Sequence, residues 1–399
     1  MIPLELAFVE PLGRLTPRPW ANEVTGVQID SRRIDEGDLF VAVAGGADFV
    51  AHALARGAAA ALVPDDDHAA LGAIGREVRN RSGARVVGIT GSTGKTTTKD
   101  ILVALCAPHL RTVANEGNYN NELGVPLTLC RLGPDTELCI AEMAMRGLGQ
   151  IAWLASFARP DIAVITNVGP VHLELVETVE NVARAKAELV DALPPGGVAV
   201  VPVEPLLDSY LTRSDIEIRR VDLVPDVFPI ETSYTARHQL QNTMTALAVC
   251  EVLGVPAPAR LDVTFSPLRE EEHELAEGML LLNDCYNANP LSMRAALAHL
   301  VDRAGERRSV AVLGEMAELG PNAPAYHDEV RRTAAELGVD EVIGVGPLAR
   351  SYVTNGGSWF ATAGEAASAL GGLLRPGDVV LLKGSRAVGL EAIAAKLRD

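Results

Sequence analysis

Short, near-continuous apolar runs recur along this chain. VVGIT (86–90), ELCIAEM (137–143), IAVITNV (162–168), VAVVPV (198–203), MLLLNDC (279–285), SVAVLGE (309–315), EVIGVG (341–346) and DVVLLKG (378–384) read as strands. Their β-branched content and lack of polar alternation fit strands buried on both faces. Between them, stretches such as ENVARAKAELVDAL (180–193) and NPLSMRAALAHLVDRA (289–304) are apolar at helical spacing. The alternation predicts an α/β protein built on parallel sheets with helices on both faces.

At 399 residues the chain exceeds what one compact core serves, and the pattern divides into units at 1–83, 84–258 and 259–399. The first boundary follows the charged stretch REVRNRSGAR (76–85). The second lies near VLGVPAPARLD (252–262), where Pro and Gly interrupt the pattern. A hydrophobic fraction of 48% marks an ordinary globular protein. The net charge of -17 argues against nucleic acid or an anionic membrane as partner. Five cysteines, without C-x-x-C spacing, fit free thiols in a reducing compartment. The N-terminus lacks the basic region of a signal peptide, and no apolar run reaches the ~18–20 residues of a membrane span. A soluble cytoplasmic monomer acting on small molecules is expected.

The sharpest local signal is VVGITGSTGKTTTKDILVAL (86–105), read as strand, glycine turn and helix. Gly91 and Gly94 let backbone N–H groups turn inward around phosphate oxygens, with Ser92, Thr93 and Thr97 completing the loop. Lys95 can reach the β/γ-phosphates, Thr96 can ligate Mg²⁺, and the helix N-terminus adds a favourable dipole. The match to the usual phosphate-loop pattern is not literal, because Ile89 stands where a glycine is expected. This much implies ATP binding but does not separate a kinase, a motor and a ligase.

Further segments bear on the class: YNNELGVPLTL (119–129), AEMAMRGLGQI (141–151), ITNVGPVHLELVETVENVARAKAEL (165–189), DCYNANPLSM (284–293), VLGEMAELG (312–320) and KGSR (383–386). In this order they resemble the Mur ligases, most closely the branch joining D-Ala-D-Ala to UDP-MurNAc-tripeptide. The resemblance implies a three-domain architecture: a UDP-type substrate domain, a central ATPase-type parallel sheet and a C-terminal Rossmann-like domain. It implies ATP and Mg²⁺, with Thr96, Glu142, His172 and a carbamylated Lys186 as metal ligands. Asn120 and Asn121 resemble asparagines beside the reacting phosphate. His238 and Asn242 match an adenine-contacting segment, Arg269 a phosphate-reaching arginine and Asp284 a nucleotide-holding acid. Asn287, Asn289, Lys383, Ser385 and Arg386 would serve the amine substrate. Independently of the family, Glu142 at a strand end suits a hard cation, and a basic cluster after a buried strand suits a carboxylate.

The N-terminal DSRRIDEGDLF (30–40) resembles the family's uridine-nucleotide segment, with Ser31 and Arg32 as candidate substrate contacts. The D-G-H expected after it appears as VAH (50–52), and Ala187 replaces a glycine beside Lys186. These departures leave room for a compact relative joining another acid and amine, or for a nucleotide-binding partner without catalysis. A P-loop kinase would leave the asparagine motifs and KGSR unexplained.

Overall fold

The computed structural model describes residues 1–221, 228–353 and 357–398. The expected strands form to within one residue at either end, except that the run at 162–168 stops at Ile165. The expected helices are seen at Val179–Asp191 and Pro290–Ala304. Asn289 caps the second: its Oδ1 accepts from Ser292 N, Ser292 Oγ accepts from Asn289 N, and Pro290 occupies the first helical position.

The central sheet has six parallel strands, ordered Glu217–Val221, Val198–Pro202, Ile162–Ile165, Arg85–Thr90, Leu138–Glu142 and Thr112–Ala114. From Arg85–Thr90 the chain first runs to one edge of the sheet and then crosses back to build the other. The reversal opens a crevice at the carboxyl ends of the middle strands, where ligands bind in such sheets. The C-terminal sheet is ordered Glu271–Glu274, Leu280–Asp284, Val379–Lys383, Ser309–Gly314, Glu341–Val345 and Trp359–Phe360. Only its first strand is antiparallel. That edge strand reads EEHE, and its charges discourage pairing with another chain.

Near the N-terminus a four-stranded mixed sheet runs Gly13–Pro17, Ala60–Pro64, Asp38–Val41 and Gly26–Gln28. The helix Asp67–Arg81 follows it and buries Leu71, Ile74 and Val78 in a core continuous with the central sheet's helices. Two glycines set its approach. A Cβ on Gly72 would stand 2.4 Å from the Phe157 ring, and one on Gly75 would stand 2.9 Å from the Pro126 backbone. Gly75→Val, which forces that helix outward, is expected to lower stability by about 1–3 kcal/mol in denaturant melts. Valine at the open position Gly83 should change it by less than about 0.5 kcal/mol.

Candidate active site

Strand Arg85–Thr90 runs into the glycine turn, and helix Lys95–Cys106 begins directly after it. Gly94 has φ 74°, and a Cβ there would lie 2.6 Å from Asn242 Oδ1. A Cβ on Gly91 would meet Thr166 Oγ1 at 1.8 Å. The turn is clamped from both sides and admits only glycine at these two positions. Asn167 completes the clamp: its Oδ1 accepts from Thr93 N at 2.8 Å, and its Nδ2 donates to Thr93 Oγ1 at 2.6 Å. Ser92 Oγ donates to Gly169 O at 3.0 Å and accepts from Gly169 N at 2.9 Å. The strand at 162 therefore ends early because residues 166–169 turn to hold the loop. Thr97 is buried in the first turn of the helix.

Glu142 ends the neighbouring strand Leu138–Glu142 and is 1% exposed. Its Oε1 accepts from Thr96 Oγ1 at 3.1 Å and from Asn120 Nδ2 at 2.7 Å. Asn115 brackets its backbone, accepting from Glu142 N and donating to Glu142 O. Glu142 Oε2 is buried with no partner. A buried carboxylate oxygen left bare costs several kcal/mol, so the position fits a cation held between Glu142 and Thr96. Asn121 makes no hydrogen bond to this carboxylate; its Oδ1 accepts from Leu123 N and Gly124 N at the start of helix Gly124–Leu129.

Four basic side chains gather near Glu142. Lys95 Nζ donates to Gly91 O at 2.8 Å. Burial lowers its pKa, the Glu142 carboxylate opposes this, and the Arg269 charge adds to the lowering. Lys186, in the middle of helix Val179–Asp191, is 1% exposed and makes no hydrogen bond or ion pair with any described residue. Burial and the nearby Lys95 hold its amine far below the usual lysine range. His172 stands at φ 53° with its Nδ1 bonded to Glu318 Oε2 of the C-terminal unit. Burial lowers its pKa, Glu318 opposes, and Lys95 and Lys186 add to the lowering. Arg269 also arrives from the C-terminal side. Its guanidinium lies 4.2 Å from the Tyr286 ring centre, with no hydrogen bond or ion pair to a described residue.

Around the C-terminal sheet, Lys383 Nζ donates to Asp284 Oδ2 at 2.6 Å and to Asn287 O at 3.0 Å. His238, on helix Arg237–Leu253, pairs through Nε2 with Glu270 Oε1 at 2.7 Å. Asn289 is occupied as the cap described above. Ser385 Oγ accepts from Ala317 N, and Arg386 reaches Glu391 at 3.5 Å. In the N-terminal unit, Ser31 Oγ meets His52 Nδ1 at 3.0 Å, while exposed Arg32 pairs with Asp30 at 2.8 Å. The histidine of the altered VAH segment thus still holds the serine of D-S-R.

The structure brings Gly91–Thr96, Glu142, Asn120, His172, Lys186, Asn242 and Arg269 around one crevice, with Asp284 and Lys383 on the facing unit. It keeps Ser31 and Arg32 in the N-terminal sheet region. Asn115, Asn167, Glu318 and Glu270 were not singled out from the sequence. Asn167 follows a buried strand directly and could have been found on that ground. The others become visible only once distant segments meet.

Two parallel-sheet units that face each other across a phosphate loop suit the activation of a carboxylate by ATP in a site closed to water, and this protein is an ATP-dependent ligase of that type. Residues 89–214 match the Mur ligase middle domain and residues 269–386 the Mur ligase glutamate ligase domain. The UDP-N-acetylmuramoyl-tripeptide--D-alanyl-D-alanine ligase of Mycobacterium tuberculosis is 36% identical, the match covering 94% of this chain and 92% of that one. The enzyme of that name from Escherichia coli is 31% identical over 94% and 93%. Among solved structures, MurF from Acinetobacter baumannii superposes with a TM-score of 0.88 at 27% identity, covering 99% of both chains. MurF from Thermotoga maritima in complex with ADP gives 0.82 at 28%, covering 94% and 97%. The chain belongs to the Mur ligase family. Among the described residues no helix is long and apolar enough to cross a membrane.

The unpartnered Lys186 allows a direct check. Its folded pKa lies well below the usual lysine value of 10.5, so at neutral pH folding must strip its proton or bury the charge. That penalty is full below the folded pKa and fades as pH rises toward 10.5. In CO₂-free buffer at neutral pH, Lys186→Met is expected to be more stable than the parent by about 1–3 kcal/mol in denaturant melts. The gap should shrink as pH is raised.

Proposed function

We propose that this protein joins D-Ala-D-Ala to UDP-MurNAc-tripeptide, cleaving ATP to ADP and phosphate through an acyl phosphate. The observation that carries the chemistry is the bare, buried Glu142 Oε2 beside Thr96 and the phosphate loop. The near full-length likeness to ligases bearing that name supports the choice of substrates.

A substrate carboxylate oxygen attacks the γ-phosphorus and ADP leaves. The free amine of the dipeptide then attacks the acyl carbon, inorganic phosphate leaves and the amine gives up a proton. Lys95 and Arg269 supply positive charge where the transferring oxygens gather it. Asn120 keeps Glu142 aimed at the crevice, and Asn167 with Ser92 keeps the loop's N–H groups inward. Thr96, Glu142, His172 and Lys186 are the residues that would hold Mg²⁺, which when bound neutralises charge on the phosphates. Asn121, Asn242 and Asp284 complete the nucleotide side in this reading. Asn287, Asn289, Lys383, Ser385 and Arg386 flank the amine, and Ser31 with Arg32 serves the uridine nucleotide.

Lys186 fits as a ligand only if its amine gains an anionic group. A neutral, buried amine is the form that adds CO₂: the nitrogen lone pair bonds to carbon and the nitrogen loses a proton, leaving a carbamate. Protein equilibrated with ¹³C-bicarbonate should show a carbamate carbon signal that Lys186→Met lacks and that acidification removes. A spectrum identical to that of the variant excludes the modification.

Phosphate release is the test of the reaction. It should require ATP, UDP-MurNAc-tripeptide and D-Ala-D-Ala together, and Glu142→Gln should lower kcat by roughly 10²–10³ with the fold retained by circular dichroism. Turnover indifferent to either cell-wall substrate would refute this assignment in favour of another acid and amine.

A further inference from the structure

The segment leading into the C-terminal sheet is tied to the central unit at two points. Asp100, on the helix that starts at the phosphate loop, accepts from Ser266 N through Oδ2 at 2.8 Å. His238, on the helix that carries Asn242, pairs with Glu270 at 2.7 Å. Arg269 lies directly beside the second tie. Its neighbours Leu268 and Glu270 both adopt left-handed backbone, φ 62° and 55°, where side chains with a Cβ are strained. Such a kink persists only if something outside the segment holds it, and the Glu270–His238 pair is in place to do so. The kink presents an arginine whose donors are unused by any described residue, close enough to Lys95 for the two charges to be felt. A free guanidinium facing a phosphate loop awaits an anion.

We propose that Glu270, latched to His238, is the positioning residue that sets Arg269 against the nucleotide phosphates and so couples nucleotide binding to the seating of the C-terminal unit. This rests on the reading of the crevice as an ATP site. Glu270 does not touch the phosphates in this account; it acts through the backbone kink. Its Oε2 is buried without a partner, so the His238 bond through Oε1 is the hydrogen bond that holds the carboxylate. The latch is also titratable. Burial alone would lower His238, but the Glu270 and Asp284 carboxylates outweigh burial and Lys383, and the imidazole is held above its usual range. His299 faces it at a ring separation of 6.2 Å, and Arg237 adjoins it on its own helix. With the folded pKa raised above 6.5, the ionic latch is complete below that value and is lost as pH rises through the folded pKa.

Calorimetric binding of a non-hydrolysable ATP analogue with Mg²⁺ tests the proposal. The wild-type protein should bind the analogue with affinity falling roughly ten-fold as pH is raised through the elevated His238 pKa and the latch titrates. E270Q and H238N should bind roughly ten-fold more weakly than wild type below that pKa and show little further change. R269A should be similarly weak, and the R269A/E270Q double variant no weaker than R269A alone. Additive losses in that double variant would overturn the latch, because Glu270 would then act independently of Arg269. So would an E270Q protein with wild-type affinity and pH response. Variants that merely unfold are recognised by their melting curves, and E270Q keeps the shape of the carboxylate. A wild-type protein that binds no analogue overturns the ATP reading and the latch with it, whereas normal wild-type binding with an E270Q loss equally large above and below the His238 pKa overturns the latch alone.

Discussion

Buried charge without an internal partner is the constraint on which the rest of this structure turns. Glu142 Oε2 and the Lys186 amine are buried at one crevice with bonding capacity unused, and the half-buried Arg269 guanidinium, stacked on Tyr286, joins them there. The two buried groups would be liabilities in an ordinary core, where buried charges are paired. In the proposed function, the partners these groups take are phosphates and a cation. Opposite charges brought close across a dry gap interact far more strongly than in water. The surrounding fold keeps these groups apart from one another and in place.

That work falls to the sheet topology. Reversal of strand order beside Arg85–Thr90 leaves a crevice that no crossover helix covers. The residues that end the three middle strands, Thr90, Glu142 and Ile165, stand at its rim, and Thr166, Asn167 and Gly169 continue the last strand into a clamp on the loop. The C-terminal sheet presents Asp284 and Lys383 in the same way, at the carboxyl ends of adjacent parallel strands. The two units meet through side chains from opposite domains, His172 with Glu318 and His238 with Glu270. The reacting groups therefore come from both sides of an interface, and the chemistry depends on how that interface is seated.

Much of this was legible from pattern alone. The strands could be read because parallel strands covered on both faces must be apolar without alternation, and VVGIT and IAVITNV are. The phosphate loop could be read because glycines between a strand and a helix let backbone N–H groups turn inward; the pressure of Thr166 and Asn242 on them is a tertiary addition. Glu142 was placed by its position at a strand end. The length of the strand at 162 was overestimated, since the β-branched Thr166 and Val168 extend the run and the clamp that bends it involves Thr93, more than seventy residues earlier. Asn121 and Asn120 are neighbours of identical type, and only the fold turned one toward Glu142 and the other toward a helix start.

Local rules of the chain, the periodicity of apolar residues and the steric need for glycine, thus determined the α/β layers, the phosphate loop and the strand ends at which chemistry is placed. These depend on neighbours a few residues apart, and sequence records them directly. The pairings Ser31 with His52, His172 with Glu318 and His238 with Glu270 span from 21 to 146 residues, and no local pattern encodes them. They arise when separate sheets pack, and tertiary structure alone decided which charges were satisfied there and which were left bare for a ligand.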